Sequence, residues 1–409
     1  MFLLHAGRKN ATASAKTTAT TSNNNWTKLV GINWADARDN FVDGWIIPSG
    51  IDHSGAPEEV SRQADQILSE FQRLLFSGDN DTNHTTNNPH DNYAFTIRLG
   101  INPATVLNDD WWPRYQDIID RAVHDHGYSV ILACWEEASH RNGRIDNPDE
   151  FWKMWDKVVQ IFAGKDRVLF EIFNEPHGCA DEQWRNWAAR WVDRHTEHPP
   201  HTAVNATRTP GPDEETIPIL SDKQRILVSG TGYSEHVTTI AKDKRLDGCR
   251  LSFHLYSWFG KHTRVESWKD ELDRRVGIEH APRTSVTEWG APMKIRPNHY
   301  YCSTSSNNQS SYGDDGDKDG HESALAMSEV IRDWKMGSIY WPGLRDGDVY
   351  SLTERKDTAK NTTDTRHLWV TNQSGKARLQ WSFGFYNSAV SSPGMQEKGN
   401  DQANKTCKM

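Results

Sequence analysis

Short runs of β-branched and other apolar residues alternate with longer stretches of helical periodicity from Trp26 to Trp341, and no other feature constrains the fold as tightly. The strand-like runs lie at residues 29–34, 93–101, 128–135, 167–173, 225–229, 250–256, 284–288 and 337–341. The helical stretches between them include 57–76, 112–126, 149–163, 181–195, 262–276 and 322–334. Alternation of this kind implies parallel strands joined by right-handed crossovers. Eight such units favour an α/β fold closed as a (β/α)8 TIM barrel over an open doubly wound sheet. A length of 409 residues admits more than one domain, but barrels with insertions reach this size, so one domain is the simpler reading.

The flanks and insertions differ in composition from the barrel. Residues 1–24 are rich in Thr, Ala, Ser and Asn without periodicity and read as a disordered polar leader. The barrel domain is expected over 25–385 and a polar C-terminal tail over 386–409. Two polar insertions, 78–92 and 302–320, read as surface loops. The first joins a helix to a strand and belongs at the face away from the strand ends, whereas the second follows the seventh strand and borders that mouth. The segment 367–381, with Leu368, Val370, Leu379 and Trp381, is expected to pack on the outside of the barrel.

Charge and composition narrow the partners. A net charge of -9 without a basic run argues against nucleic acid, because phosphate binding needs clustered Lys and Arg. No apolar run reaches the roughly 18 residues that a membrane-spanning helix needs. The five cysteines show no metal-ligand spacing. Nine Asn-x-Ser/Thr sequons, at Asn10, Asn25, Asn80, Asn83, Asn205, Asn308, Asn361, Asn372 and Asn404, point to a secreted glycoprotein. The apolar stretch at Phe2–Leu4 is too short for a secretory signal, so the leader is expected to be missing from this sequence, the alternative being a protein that stays in the cytoplasm. Eighteen Trp supply flat apolar faces on which sugars stack, although most are expected to fill the core.

Barrel chemistry sits at the carboxyl ends of the strands. The fourth strand runs Val168-Leu169-Phe170-Glu171-Ile172-Phe173-Asn174-Glu175-Pro176. Period-two alternation puts Leu169, Glu171, Phe173 and Glu175 on the barrel-facing side and Val168, Phe170 and Ile172 on the helix side. Glu175 is then a carboxylate at the mouth, and Glu171, deeper on the same side, reads as a paired structural group. The seventh strand ends in the same manner at Glu288. Two facing carboxylic groups are what glycosidic cleavage requires. On the second strand Arg98 has opposite parity to Phe95, Ile97 and Leu99 and should point inward, where a guanidinium needs a carboxylate partner. On the sixth, Ser252, His254 and Tyr256 alternate with Leu251, Phe253 and Leu255, which aims His254 and Tyr256 at the mouth. Trp341 closes the eighth strand as a candidate platform for a sugar ring.

These strand ends resemble glycoside hydrolase family 5, the cellulase-like barrel enzymes, over roughly residues 26–352. The specific motif is Phe170-Glu171-Ile172-Phe173-Asn174-Glu175-Pro176, supported by Thr287-Glu288-Trp289-Gly290 and His254-Leu255-Tyr256. The resemblance implies Glu175 as acid/base, Glu288 as nucleophile, and Arg98, Asn174, His254, Tyr256 and Trp341 as substrate-binding positions, with Asn174 on the sugar 2-hydroxyl. It implies a retaining hydrolase of β-linked glycans working by double displacement. No metal-binding spacing appears in the loops, so no metal or cofactor is expected, and the protein is expected to be a monomer. The third strand departs from the pattern: many members end it with a His, whereas this chain reads Cys134-Trp135-Glu136. The alternative from another class is a barrel that binds carbohydrate without turning it over, which assay of any glycan would separate.

Overall fold

The computed structural model describes residues 28–76, 93–196, 219–259, 262, 264–291, 315–355 and 367–383. Among them, eight parallel strands close into a barrel: β1 (Lys28–Trp34), β2 (Tyr93–Ile101), β3 (Ser129–Cys134), β4 (Val168–Glu171), β5 (Ile226–Ser229), β6 (Arg250–His254), β7 (Thr284–Glu288) and β8 (Gly337–Leu344). Each pairs with the next along the chain, and β8 pairs with β1 to close the ring. Helices α1 (Pro57–Phe76), α2 (Pro103–Val106), α3 (Trp112–His124), α4 (Pro148–Phe162), α5 (Asp181–Thr196), α6 (Thr238–Ala241), α7 (Val265–Arg275) and α8 (Asp315–Asp333) connect the strands. The expected (β/α)8 barrel is therefore what the chain forms.

The two sides of each strand carry different work. Leu29, Ile131, Leu169, Leu227 and Ile339 pack together in the barrel interior. The opposite parity, represented by Ile32, Ile97, Val130, Phe170, Val228 and Phe253, joins the larger core beneath the helices. Helix α4 shows how a helix meets that layer. Asn147 caps its first turn, Pro148 fills a position whose N–H would be unpaired, and Phe151, Met154, Trp155, Val158, Val159 and Phe162 form its buried stripe. Its last carbonyls are taken up by Arg225, which donates to Phe162, Ala163 and Lys165 and so ties the start of β5 to the end of α4. Among the described residues, nine of the largest fully buried side chains are Trp, half of the 18 in the chain, and all but Trp135 lie away from the cleft.

Three readings change in detail. Helix α8 begins at Asp315, inside the segment expected to be loop up to residue 320; residues 302–314 and the first insertion lie outside the described residues, as do the leader and tail. Helix α7 starts at Val265, three residues later than its periodicity predicts. The C-terminal segment packs outside the barrel as expected, but as a short antiparallel pair, β9 (Thr353–Arg355) and β10 (Leu368–Val370), followed by α9 (Gln373–Ser382). Glu70 on α1 holds this addition by accepting the N–H groups of His367 and Leu368. Asn372, one of the nine sequons, is buried here: its Nδ2 donates to Ala291 and its Oδ1 caps α9 at Gly375. The other eight sequons lie outside the described residues.

Candidate active site

The strand ends deliver their polar side chains to one network. Arg98 on β2 is its centre, buried and in a two-point ion pair with Glu171 at 2.6 and 2.9 Å. The same guanidinium donates to Glu288 Oε1 at 2.5 Å, to Asn174 Oδ1 at 2.7 Å and to Asn33 Oδ1 at 2.9 Å. The expected inward Arg with a deep structural partner is thus observed. Tyr256 donates to the second oxygen of Glu288 at 3.2 Å. His254 places Nδ1 2.9 Å from Glu175 Oε1 and 3.6 Å from Glu288 Oε2, and Nε2 3.0 Å from the Thr287 hydroxyl. One oxygen of Glu175, one of Glu288 and a His254 ring nitrogen lie within 4.8 Å of one another.

One parity expectation fails at the end of β4, and the reason is local. The strand stops at Glu171, so alternation does not extend past it. Phe173 turns to the helix side, where it meets Trp184, and Asn174 takes the inward position beside Arg98. Glu175 reaches the mouth through a left-handed backbone with φ of 51° instead of by strand alternation. Such a conformation costs about 1–3 kcal/mol in a non-glycine residue and persists where the surroundings hold it. Asp39, Arg141 and Tyr233, which line the same cleft, share the left-handed region.

The mouth is a cleft of about 690 Å³ with aromatic walls. Trp341 stacks on Trp135 with ring centroids 5.5 Å apart, and Phe41 meets Trp135 edge-on. Gly290 lets the end of β7 lie against the backbone of β8, since a Cβ there would lie 2.5 Å from the Trp341 carbonyl oxygen. Trp258, stacked on Tyr256 and 58% exposed, forms another wall, and Tyr233 stacked on His177 a third. Trp135 therefore fills, beside Trp341, the place where the third strand departs from its expected pattern. Glu136 turns away to accept the Gly143 N–H. Asn33, Trp135 and Trp258 were missed as site residues in the sequence. Asn33 had a usable signal, a polar residue at inward parity beside Arg98 in the β1–β2 register.

Surroundings separate the ionisation of these groups. Burial, reinforced by the charge of Glu288, pushes Glu175 well above the usual carboxylate range. Burial also raises Glu288, to about 7, against the opposing pull of Arg98. Of the pair, Glu288 has the cation and the Tyr256 hydroxyl on its oxygens, so it is the one favoured in the ionised form. Burial lowers Arg98 but Glu171 and Glu288 outweigh it and keep the guanidinium charged. Burial and Arg98 together drive His254 well below the usual range, which leaves a neutral imidazole. The Asn174 amide Nδ2 is buried with no partner among the described residues, a donor whose orientation is fixed because Arg98 holds its oxygen. Glu175, His254 and Glu288 have donor types that a metal also takes, but the guanidinium on Glu288 already supplies positive charge at that point.

The cellulase (glycosyl hydrolase family 5) family model matches residues 78–314, more than half of the chain. The chain belongs to glycosyl hydrolase family 5. Among relatives of this family-5 chain, Endoglucanase A of Ruminococcus albus is 24% identical over 224 residues, 52% of this chain and 58% of the relative. Endoglucanase Z of Dickeya dadantii is 22% identical over 43% of this chain and 34% of its own. The chain thus spans between a third and three-fifths of the length of these relatives. In fold, the family-5 barrel is similar to the native form of a beta-glucanase from Saccharophagus degradans, with a TM-score of 0.51, 15% identity and 88% of each chain covered. It is also similar to Cel5A of Thermotoga maritima in complex with mannotriose, with a TM-score of 0.51, 13% identity and coverage of 87% and 98%.

Proposed function

We propose that this protein is a retaining β-glycoside hydrolase acting on β-glucan, with Glu288 as nucleophile and Glu175 as general acid/base. The observation that carries the reading is the pair itself: oxygens of Glu175 and Glu288 within 4.8 Å, at the floor of an aromatic cleft. Retaining enzymes hold their two carboxyl groups about 5–5.5 Å apart, whereas inverting ones leave about 6.5–9.5 Å for a water. Family membership and the two endoglucanase relatives support hydrolysis of a β-glucan.

In this mechanism Glu288 attacks the anomeric carbon while Glu175 gives its proton to the leaving oxygen. The product of that step is a glycosyl ester on Glu288, and the negative charge that raised Glu175 is gone. Glu175 can then deprotonate the incoming water, which cleaves the ester and restores both groups. Arg98 and Tyr256 keep Glu288 an acceptor until it attacks. Asn174 Nδ2 is the donor placed for a sugar hydroxyl, and Trp341 with Trp135 offers the ring-stacking face. We further propose that the protein works outside the cell, where polymeric glucan is met, and as a monomer without cofactor.

The test is a panel of β-linked glucans, mannans and xylans, with the anomer of the first product followed by proton NMR. The expected outcome is release of oligosaccharides from glucan with the β-anomer appearing first. An α-anomer appearing first, or turnover of no glycan in the panel, contradicts the reading.

A further inference from the structure

The proton on the His254 ring is directed by groups buried beneath the cleft. Glu171 is an acceptor only, since both its oxygens receive the Arg98 guanidinium. The Ser252 hydroxyl, 2.8 Å from Glu171 Oε1, must spend its single proton there. Ser229, the other hydroxyl near that oxygen, makes its shorter contact, 2.6 Å, with the Phe173 carbonyl. Ser252 also sits 2.5 Å from the Thr287 hydroxyl, so in that bond Thr287 is the donor. Thr287 then has only lone pairs left for Nε2 of His254 at 3.0 Å, and Nε2 must carry the hydrogen. Run the other way, the chain would set two lone pairs against each other between Ser252 and Glu171.

We propose that Thr287 and Ser252 are positioning residues, a one-way hydrogen-bond relay anchored on Glu171 that holds His254 as its Nε2–H tautomer and leaves Nδ1 as the acceptor for the proton of Glu175. The proposal rests on the reading of Glu175 as the acid. Its consequence is that the relay favours protonated Glu175, since Nδ1, 2.9 Å from Glu175 Oε1, can receive a hydrogen bond but not give one. The charged and titratable groups around the pair are few. Nδ1 also faces Glu288, Arg98 acts on the ring, Glu288, Arg98, Asp39 and Glu235 act on Glu175, and the Tyr256 phenol interacts with both glutamates.

Without the relay the neutral ring is free to move its proton to Nδ1. It would then donate to an ionised Glu175, stabilise that form and lower the pKa of the acid. Two readouts follow. Long-range proton–nitrogen NMR of the full chain labelled with 15N-histidine, assigned through His254→Asn, reads the tautomer directly. A resting His254 with its hydrogen on Nε2 is expected at neutral pH, and a hydrogen on Nδ1 or on both nitrogens overturns the relay. In Thr287→Val the basic limb of kcat/KM on unactivated glucan should move to lower pH by about one unit, a tenfold change in proton affinity. Thr287→Ser, which keeps the hydroxyl, should restore it. Ser252→Ala, which frees Thr287 to donate to Nε2, should move the limb in the same direction and serves if the valine variant fails to fold. A limb that stays in place in both variants overturns the proposal. Wild-type protein that hydrolyses no glycan counts against the hydrolase reading, while the tautomer measurement judges the relay without turnover.

Discussion

Glu175 and Glu288 are the same side chain put to different use by what touches them. One has a neutral imidazole on its oxygen, the other a guanidinium and a phenol. Holding two carboxyl groups this close and this buried has a cost for folding. A carboxyl whose pKa is higher in the folded than in the unfolded chain binds protons more tightly when folded, so it favours folding at low pH and loses that contribution as pH rises through the folded value. Both groups are raised from 4.5, Glu288 to about 7. Glu175→Gln removes one titrating member while keeping its shape. Its Tm is expected to exceed that of the parent at neutral pH, with the gain shrinking as pH falls toward 4.5, the ordinary value for Glu. Thermal melts across that interval check it, and a variant less stable than the parent throughout contradicts it. Residue placement was legible where strand parity holds, at Arg98, His254 and Tyr256. Parity gave no warning at Glu175, because a left-handed glutamate leaves no mark in the amino-acid order.

At the scale of elements, all eight barrel strands were legible as short buried apolar runs, and six of the seven gaps between them carry a helical stretch, the gap between β5 and β6 holding only the four-residue α6. The β9–β10 pair was not, since strands of three residues are too short for alternation to register. Helix α8 was read short at its start, where Asp315-Gly316-Asp317-Lys318-Asp319-Gly320 carries polar and helix-poor residues. The tryptophans show how an element assigns a role to a residue type. Trp184 on α5 is buried and donates to the Ser229 carbonyl at 2.8 Å, whereas Trp341, three residues before the end of β8, lines the cleft. Trp341→Ala is expected to lower kcat/KM on glucan on the order of tenfold to a hundredfold through lost positioning of the ring. Trp184→Phe should cost about 1–3 kcal/mol of stability through the unpaired carbonyl and move kcat/KM by less than the Trp341 change. Steady-state kinetics beside denaturant melts separate the two, and equal kinetic losses would reduce Trp341 to packing.

The whole molecule is a barrel whose interior changes character along its axis. Apolar side chains such as Leu169 and Ile339 fill one layer, and the charged network of Arg98, Glu171 and Glu288 stands above it. Rigid strands on every side explain how a guanidinium can be held against two carboxylates with almost no exposure. Family membership rests on the match over residues 78–314 and the fold on the closed barrel, while the division of labour between Glu175 and Glu288 is the claim on which the proposed chemistry turns. The most direct test gives Glu175→Ala an aryl β-glycoside with an acidic phenol as leaving group. Departure of that phenol needs little proton donation, but breakdown of the intermediate needs the missing base. The expected result is a burst of phenol and a glycosyl adduct found by mass on the peptide containing Glu288, discharged by azide as the β-glycosyl azide. A burst from Glu288→Ala in place of Glu175→Ala, or an adduct on any peptide without Glu288, would contradict it.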